Sequence, residues 1–336
     1  MRRRGTKTQT GTWICLPLLA GAVLLQGCAG PQSALQADGE EAEAIVTLLW
    51  VTTVGAAVIW LAVVGAMLFA IRRRRHALSE RGARSLILWC GVVLPSFILF
   101  ALLAFTLWRM PMARPWFDPG DQPVTIEVTG EQFWWRLRYL DDKGDVLFET
   151  ANELRMPVGE RVRFLLKAHD VIHSFWIPAL GGKMDMIPGR TNVLSLKATR
   201  TGVYRGPCVE FCGTSHALMN IDAEVVEKAE FDRWVERQRA AGSGSETNNG
   251  EAFLKNGCGG CHAVRGTEAT GELGPDLTNF AGRKRMGAGT AANTAENRKL
   301  FVRNAGRMKP GVQMPAYETL PEAELDAIVA YLGGLR

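Results

Sequence analysis

The chain has 336 residues, of which 47% are hydrophobic and 22% are charged, and its formal net charge is +5. At about 150 residues per domain, this length predicts roughly two domains. The composition is too apolar for a disordered chain and too charged for a bundle of membrane helices alone. The excess positive charge lies in residues 1–109, with 11 Lys and Arg against 5 Asp and Glu, whereas residues 110–336 carry 28 against 29. This distribution disfavours a nucleic-acid-binding module with a basic surface.

The first 27 residues have the pattern of an export signal. Four basic side chains within residues 2–7 precede an apolar run over residues 13–25, which is the order found in secretory signals. Gly27 before Cys28 resembles a bacterial lipobox, in which an acylated Cys28 would begin the mature chain and anchor it to lipid. Gln26 is unusual in that motif, and an ordinary signal cleaved nearby is the alternative.

Two longer apolar runs predict a transmembrane helical hairpin. Residues 44–71 and residues 85–108 contain no charged side chain. Even the shorter run, at 1.5 Å per residue, reaches about 36 Å and can cross a hydrocarbon core of about 30 Å. The loop between them is rich in arginine, namely Arg72, Arg73, Arg74, Arg75, Arg81 and Arg84, against Glu80 alone. Short basic loops stay in the cytoplasm, so both chain ends are expected outside.

The exported part reads as two domains of different class. Short alternating runs separated by Gly, Pro and Asp turns predict an all-β sandwich or barrel; they cover residues 124–128, 161–167, 193–198 and 221–226. A helix is predicted over residues 229–240, followed by a Gly- and Ser-rich flexible linker. A further helix is predicted over residues 320–332, where Pro and acidic residues mark its start. The last 87 residues therefore form a small all-α domain.

The predicted organisation is a signal peptide, an exported segment, a transmembrane hairpin, a β domain, a linker and an α domain. Their bounds are residues 1–27, 28–43, 44–108, 120–240, 241–249 and 250–336.

The sequence Cys258-Gly-Gly-Cys261-His262 predicts a covalently bound haem. The spacing of C-x-x-C-H lets two thiols reach the two vinyl groups of one porphyrin, and the adjacent imidazole then binds the iron. A thioether is the expected sixth ligand because His and Met ligation raises the haem potential. Met314 is preferred since it precedes the last helix in a polar loop; Met308 and Met286 are the alternatives.

A second cluster of soft ligands begins at Cys208. Cys208, Cys212, His216 and Met219 fall within 12 residues, and sulfur with imidazole suits copper. Two cysteines on one loop can bridge two coppers, each of which then needs one His and one weak ligand. His173 can supply the second imidazole, and the backbone carbonyl of Glu210 the last weak ligand.

A structural zinc site is the alternative interpretation of this second cluster. Zinc would use both cysteines and both histidines, but it would leave Met219 without a role. His169, four residues before His173, is expected to be exposed or hydrogen-bonded rather than a ligand.

With these residues, the chain resembles subunit II of haem-copper oxygen reductases, the cytochrome c oxidase family, in its caa3-type form. The string C-x-E-x-C-x-x-x-H-x-x-M over residues 208–219 carries the resemblance, as does K-x-D-x-x-P-G-R over residues 183–190. The C-terminal part is similar to small class I cytochromes c, including the Gly274-Pro275 loop whose Pro carbonyl holds the proximal His. The resemblance implies a cupredoxin-like domain with a dinuclear copper A site and a fused haem c domain.

The resemblance also implies function, partners and location. Electrons from cytochrome c or another donor would pass through haem c and copper A to haem a of subunit I, for reduction of oxygen to water coupled to proton pumping. Subunit III would be a further partner. The Glu210 side chain would reach a magnesium ion shared with subunit I, as suits a carboxylate. The expected location is the bacterial inner membrane, with both metal centres on the periplasmic side.

Two positions depart from the family pattern. The electron-entry motif Gln-Trp-Tyr-Trp reads Gln132-Phe133-Trp134-Trp135, so that Phe133 stands at the entry position. These aromatics are either sandwich core or, as we favour, the patch on which the tethered haem docks.

In the second apolar run, Leu88 stands where the family carries a glutamate at the mouth of a proton channel. An intramembrane carboxylate is a functional mark, so its absence leaves that proton entry to Glu80 or to the partner subunit.

Two other functions fit parts of the sequence. A copper A subunit of a nitric-oxide reductase would differ only in its large partner subunit. A membrane-tethered copper carrier would need an exposed, exchangeable single-copper site, against which two bridging cysteines and a fused haem argue.

Overall fold

The computed structural model describes residues 30–72, 79–113, 124–240 and 250–336. The predicted signal peptide, Cys28, Arg73 to Arg75 and the linker over 241–249 lie outside the described residues.

Two long apolar helical segments form the N-terminal hairpin. Helix α1 spans Glu40–Arg72, and the second segment runs through α2 (Glu80–Leu88), a π-helical turn (Trp89–Val93) and α3 (Leu94–Ala113). Ser79 begins α2, and its side chain accepts a hydrogen bond from the amide of Gly82. By length and composition both segments can span a membrane, with mean hydropathies of 2.5 and 2.6, and none of their most apolar residues is buried in the chain itself. Side chains of this kind need lipid or a partner around them.

The middle domain is a β-sandwich. Its strands are β1 (Val124–Glu131), β2 (Trp134–Leu140), β3 (Val146–Ala151), β4 (Glu153–Pro157), β5 (Arg161–Ala168), β6 (His173–Phe175), β7 (Met184–Met186), β8 (Asn192–Lys197), β9 (Gly202–Pro207) and β10 (Asn220–Val226). One sheet has the order β3-β2-β1-β5-β8 and the other β4-β10-β9, while β6 and β7 form a separate pair. β1 runs antiparallel to β2 and parallel to β5.

The sandwich core follows from the alternation seen in the sequence. In β1 the apolar side chains Ile126 and Val128 are fully buried, whereas their neighbours are partly exposed. Trp135, Phe164 and Phe175 fill the centre between the sheets, and Trp135 meets Phe175 edge-to-face at 6.1 Å between ring centroids. Helix α4 (Lys228–Ala240) closes one end by packing Phe231 into this core.

The segment before α1 is fastened to the sandwich. Gly39 pairs with Ala198 in a β-bridge, and the amide of Asp38 donates to the carbonyl of Ala179 at 2.8 Å. Glu41 is 2% exposed, pairs with Arg161 and accepts from the amide of Lys197. The hairpin and the sandwich are therefore joined by buried backbone and ionic contacts as well as by the chain between them.

The C-terminal domain is mainly helical. It contains α5 (Gly250–Lys255), a short hairpin of β11 (Arg285–Met286) and β12 (Ala291–Ala292), α6 (Ala295–Arg303), α7 (Ala305–Met308) and α8 (Glu322–Gly334). Helices α5 and α6 both pack against α8. The predicted fold class, a helical hairpin followed by a cupredoxin-like sandwich and an all-α domain, is confirmed.

The last helix begins later than the sequence pattern predicts. Its expected start was residue 320, but Pro321 is extended, with φ −55° and ψ 140°, and α8 starts at Glu322. Proline here precedes the first helical turn, where its missing N–H costs nothing.

Candidate metal and haem sites

The loop between β9 and β10 gathers sulfur ligands in the sandwich interior. The Sγ atoms of Cys208 and Cys212 are 4.0 Å apart, and both residues are buried. The Sδ atom of Met219 lies 3.9 Å from Sγ of Cys212. The loop is closed at its base, where the amide of Cys208 donates to the carbonyl of Met219 at 2.8 Å. The four-residue spacing of the cysteines thus brings both thiols to one point.

Two imidazoles approach this sulfur pair from different parts of the chain. Nδ1 of His216 lies 3.6 Å from Sγ of Cys212, and Nδ1 of His173 lies 3.9 Å from Sγ of Cys208. His173 comes from β6, 35 residues earlier in the sequence. A Cβ atom at Gly130 would be 2.8 Å from the His173 ring, so glycine in β1 makes room for this ligand.

The carbonyl of Glu210 completes the arrangement. It lies 3.3 Å from Sγ of Cys208. The sequence-predicted donors are therefore brought together: two thiols, two imidazoles, one thioether and one carbonyl. His169, by contrast, is exposed and lies outside the cluster of ligand atoms, as expected.

Asp170 orients His173. Its Oδ1 lies 2.8 Å from Nε2 of His173, which leaves Nδ1 turned to the sulfur pair. Burial alone would raise the pKa of Asp170, but hydrogen bonds from His173 and from the amides of Val171 and Gln132 lower it below its usual value. Burial likewise opposes the charged form of His173, but its hydrogen bonds with Cys208 and Asp170 raise its pKa. Such outer carboxylates fix ring orientation in metal sites.

The two thiols ionise as a pair. A hydrogen bond from the Cys212 thiol holds the pKa of Cys208 well below its usual range, and the bond with His173 adds to this effect. The pKa of Cys212 is raised in turn, mainly because its proton is held in the hydrogen bond to the Cys208 thiolate. A site that forms a thiolate this readily is suited to bind metal.

These donors fit copper better than zinc. Met219 is fully buried and its sulfur reaches the cysteine pair. A thioether is a ligand typical of copper sites and is absent from structural zinc sites.

A large cavity marks the C-terminal domain. It has a volume of about 510 Å³ and is lined by Cys258, Cys261 and His262. Nδ1 of His262 is 2.9 Å from the carbonyl oxygen of Pro275, which leaves Nε2 available for a ligand. Burial lowers the pKa of His262, so that the imidazole is neutral and able to bind iron. The volume and the C-x-x-C-H edge fit a haem.

Gly274 explains why this loop approaches the histidine so closely. A Cβ atom at position 274 would be 2.5 Å from Cε1 of His262. The Gly-Pro pair therefore has a direct structural role, since glycine allows the contact and Pro275 supplies the acceptor.

Two methionines line the cavity. Met314 and Met286 both belong to its wall, whereas Met308 does not. Met286 is 5% exposed and packs in the apolar core of the domain, and Met314 is partly exposed in the loop before α8.

The opposite wall of the haem cavity belongs to the sandwich domain. Gln132 and Phe133 line it from the turn between β1 and β2, and Trp134 lines it from the start of β2. The side-chain amide of Gln132 donates to the carbonyl of Cys212 at 2.6 Å, so this wall is also bonded to the sulfur loop. Trp135 does not reach the cavity; it is buried in the sandwich core, 6.2 Å from the His173 ring between centroids.

The contact between the two domains is also electrostatic. Lys284 pairs with Glu224 at 2.9 Å, and its amide donates to Glu153 at 2.6 Å. The amide of Asn220, next to Met219, donates to the carbonyl of Ala288 at 2.9 Å. The sequence left open whether the domains dock, and it did not reveal these polar contacts. Glu153, Glu224 and Lys284 are far apart in the chain and form no local pattern.

Glu210 lies at the surface beside a cluster of polar groups. Its Oε2 is 3.8 Å from Nζ of Lys183, which is 3.0 Å from Oδ1 of Asp185. Phe211, the next residue, is 78% exposed. A carboxylate and a large apolar side chain thus project outward from the sulfur loop.

Comparison with known proteins places both domains in described families. The family model for the periplasmic domain of cytochrome c oxidase subunit II matches residues 143–226, and that for cytochrome c matches residues 247–336. Cytochrome c oxidase subunit 2 of Alkalihalophilus pseudofirmus is 38% identical over 96% of this chain and 96% of its own length. The subunit 2 of Bacillus sp. strain PS3 is 38% identical over 63% of this chain and 62% of its own.

Among solved structures, the periplasmic domain of subunit II of the Bradyrhizobium japonicum cytochrome oxidase is 38% identical. It covers 37% of this chain and 98% of its own, with a TM-score of 0.34.

Proposed function

The chain belongs to the cytochrome c oxidase subunit II family, and we propose that it carries electrons from a haem in its own C-terminal domain to a dinuclear copper A centre. As a member it is an electron-transfer subunit of a haem-copper oxidoreductase. The observation that carries the proposal is the wall that the two domains share. Phe133 and Trp134 line the haem cavity, and the neighbouring Gln132 is hydrogen-bonded to the segment Cys208–Met219 between β9 and β10, here called the copper-binding loop.

In this proposal six groups of the sandwich hold two coppers. The thiolates of Cys208 and Cys212 and the imidazoles of His173 and His216 would hold them. Met219 and the Glu210 carbonyl are the weak ligands. A site closed by protein ligands suits electron transfer because it has no open position for a substrate.

The C-terminal domain would hold one haem c. Cys258 and Cys261 would attach it, and His262 and Met314 would be the ligands of its iron. The chemistry that the bound groups supply is one-electron transfer, from an external donor such as cytochrome c by way of haem c and copper A to haem a of subunit I. Phe133 and Trp134 are the residues of the sandwich through which the electron would enter.

The membrane hairpin and the surface near Glu210 point to the remaining partners. The apolar helices would sit in the bacterial inner membrane beside subunits I and III of the oxidase, which reduces oxygen to water and pumps protons. Glu210, partly exposed beside Lys183, would reach a magnesium ion at the boundary with subunit I.

Truncation of the chain after Ala240 tests the electron path. Without the haem domain, the external donor has no tethered relay, and fast reduction of copper A is expected to be lost. Stopped-flow absorbance of the copper A band in the purified oxidase measures this.

The truncated oxidase must still carry copper A with an unchanged near-infrared band, which shows that the sandwich is intact. Unchanged turnover with the external donor in such an enzyme would contradict the proposal.

A further inference from the structure

Lys309 is the most deeply buried lysine among the described residues. It is 1% exposed and lies between α7 and the loop that carries Met314. Burial lowers its pKa to about 7. A lysine is rarely buried without strong hydrogen bonds to compensate for lost hydration, so its partners reveal what the position is for.

The partners of Lys309 lie in both domains. Its Nζ donates to the carbonyl oxygen of Leu218 at 2.8 Å and to that of Gly287 at 2.6 Å. Leu218 belongs to the copper-binding loop, immediately before Met219, whereas Gly287 belongs to the turn after β11. One ammonium group thus joins the copper-binding loop to the haem domain.

Pro310, the residue after Lys309, is also hydrogen-bonded to the sandwich domain, but as the acceptor. The hydroxyl of Ser215, a residue 1% exposed and adjacent to His216, donates to the carbonyl oxygen of Pro310 at 2.6 Å. Two successive positions of the haem domain, 309 and 310, are therefore bonded to positions 218 and 215 of the sandwich, on either side of His216.

The backbone at Gly311 packs closely against side chains of the sandwich domain. Gly311 has φ +81°, and a Cβ atom there would be 3.3 Å from Phe133 and 3.4 Å from Thr214. A side chain at position 311 would press on both the copper-binding loop and the electron-entry aromatic.

We propose that Lys309 and Ser215 form an interdomain latch, which holds the haem domain against the copper-binding loop so that electron transfer needs no docking step. The inference rests on the proposed function, since it assigns a positioning role for the same electron path. The ion pairs of Lys284 are at the rim and exposed, where such pairs contribute little. The buried latch is the better candidate for what keeps the domains together.

The test compares three variants in the assembled oxidase: Lys309→Met, Ser215→Ala and the control Lys255→Met, an exposed lysine of the same domain. Hydrogen exchange of the Asn220 amide reports docking directly because this amide donates across the interface. Rapid reduction of haem c followed by optical detection of copper A reports electron transfer, and its dependence on solvent viscosity reports whether docking has become part of the step.

We expect Lys309→Met to accelerate exchange at Asn220 and to slow haem-to-copper transfer about tenfold, if the docked fraction falls to about one-tenth. The slowed rate should depend on viscosity, whereas the copper A band stays unchanged. Ser215→Ala should give the same changes to a smaller degree, and Lys255→Met none.

Native exchange and a native rate in Lys309→Met would overturn the latch. If that variant does not assemble, Ser215→Ala decides alone, and native behaviour there overturns it equally. Failure of the electron path itself is distinct: haem c of the unmodified enzyme would then not pass its electron to copper A, while exchange at Asn220 would still report the latch.

Discussion

The two candidate centres are built in opposite ways. The copper-site donors are gathered from β6 and the β9–β10 loop into the sandwich core, where His173, Cys208, Cys212 and Met219 are each less than 5% exposed. The haem-site residues surround a cavity of about 510 Å³, and its two cysteines are partly exposed. The copper-site donors are part of the buried sandwich core, whereas the haem-site residues line a cavity that a cofactor would fill.

This difference predicts how each domain depends on its cofactor. The sandwich packs Trp135, Phe164 and Phe175 into one large apolar core. The C-terminal domain has a smaller apolar cluster, and many of its residues line the cavity instead of packing against other side chains. Small domains have little stability to spare, so we expect the haem domain alone to need its cofactor in order to fold.

The largest effect is expected from removing the haem attachment. In a Cys258→Ser, Cys261→Ser chain, the haem is not covalently held, and the C-terminal domain should lose its cooperative thermal transition. The sandwich should keep its copper and its own transition. Calorimetry and limited proteolysis of the purified complex measure both, with Cys90→Ser in the membrane segment as the control. A C-terminal domain that stays protease-resistant without haem would show that its shell is self-supporting.

A smaller effect is expected at the sixth haem ligand, where two methionines compete. Met314→Leu should lower the haem potential by on the order of 0.1 V, because thioether ligation favours the reduced iron. Met286→Leu, which changes the same cavity wall, should leave the potential close to its native value. Redox titration of the haem bands separates the two, and the reverse result would assign the iron to Met286.

The smallest effect is expected at Asp170, which touches no metal in this proposal but orients His173. Asp170→Asn should weaken copper binding by about tenfold, at the low end for an outer partner of a metal ligand. Because the pKa of Asp170 is lowered, its carboxylate stays charged throughout the ordinary carboxylate range and loses its charge, and with it this stabilisation of His173, only as the pH falls through the lowered value.

Competition with a copper chelator measures the affinity of the Asp170→Asn site. Asp232→Asn, an exposed carboxylate paired with Lys228, is the matched control. Equal copper affinity of Asp170→Asn and the native chain would show that the sandwich positions His173 by packing alone.

Local patterns made much of this architecture predictable. The C-x-x-C-H string and the C-x-E-x-C-x-x-x-H-x-x-M string each hold most of one site within a few residues, and the uncharged runs indicate the hairpin by length. His173 lies 35 residues before Cys208, so it could be identified only by counting the ligands that two coppers require. The aromatic part of the domain contact could be predicted from Phe133 and Trp134, but its buried hydrogen bonds could not. Lys309 is one lysine among many in the sequence, and only its bonds to Leu218 and Gly287 set it apart.

The attachment of the segment before α1 has a consequence for the whole subunit. Glu41 and Gly39 fix the start of the first membrane helix to β5 and β8. These contacts couple the orientation of the sandwich to that of the first apolar helix. Helix tilt in a bilayer changes with lipid thickness, so a change in lipid thickness would be passed on to the orientation of the sandwich.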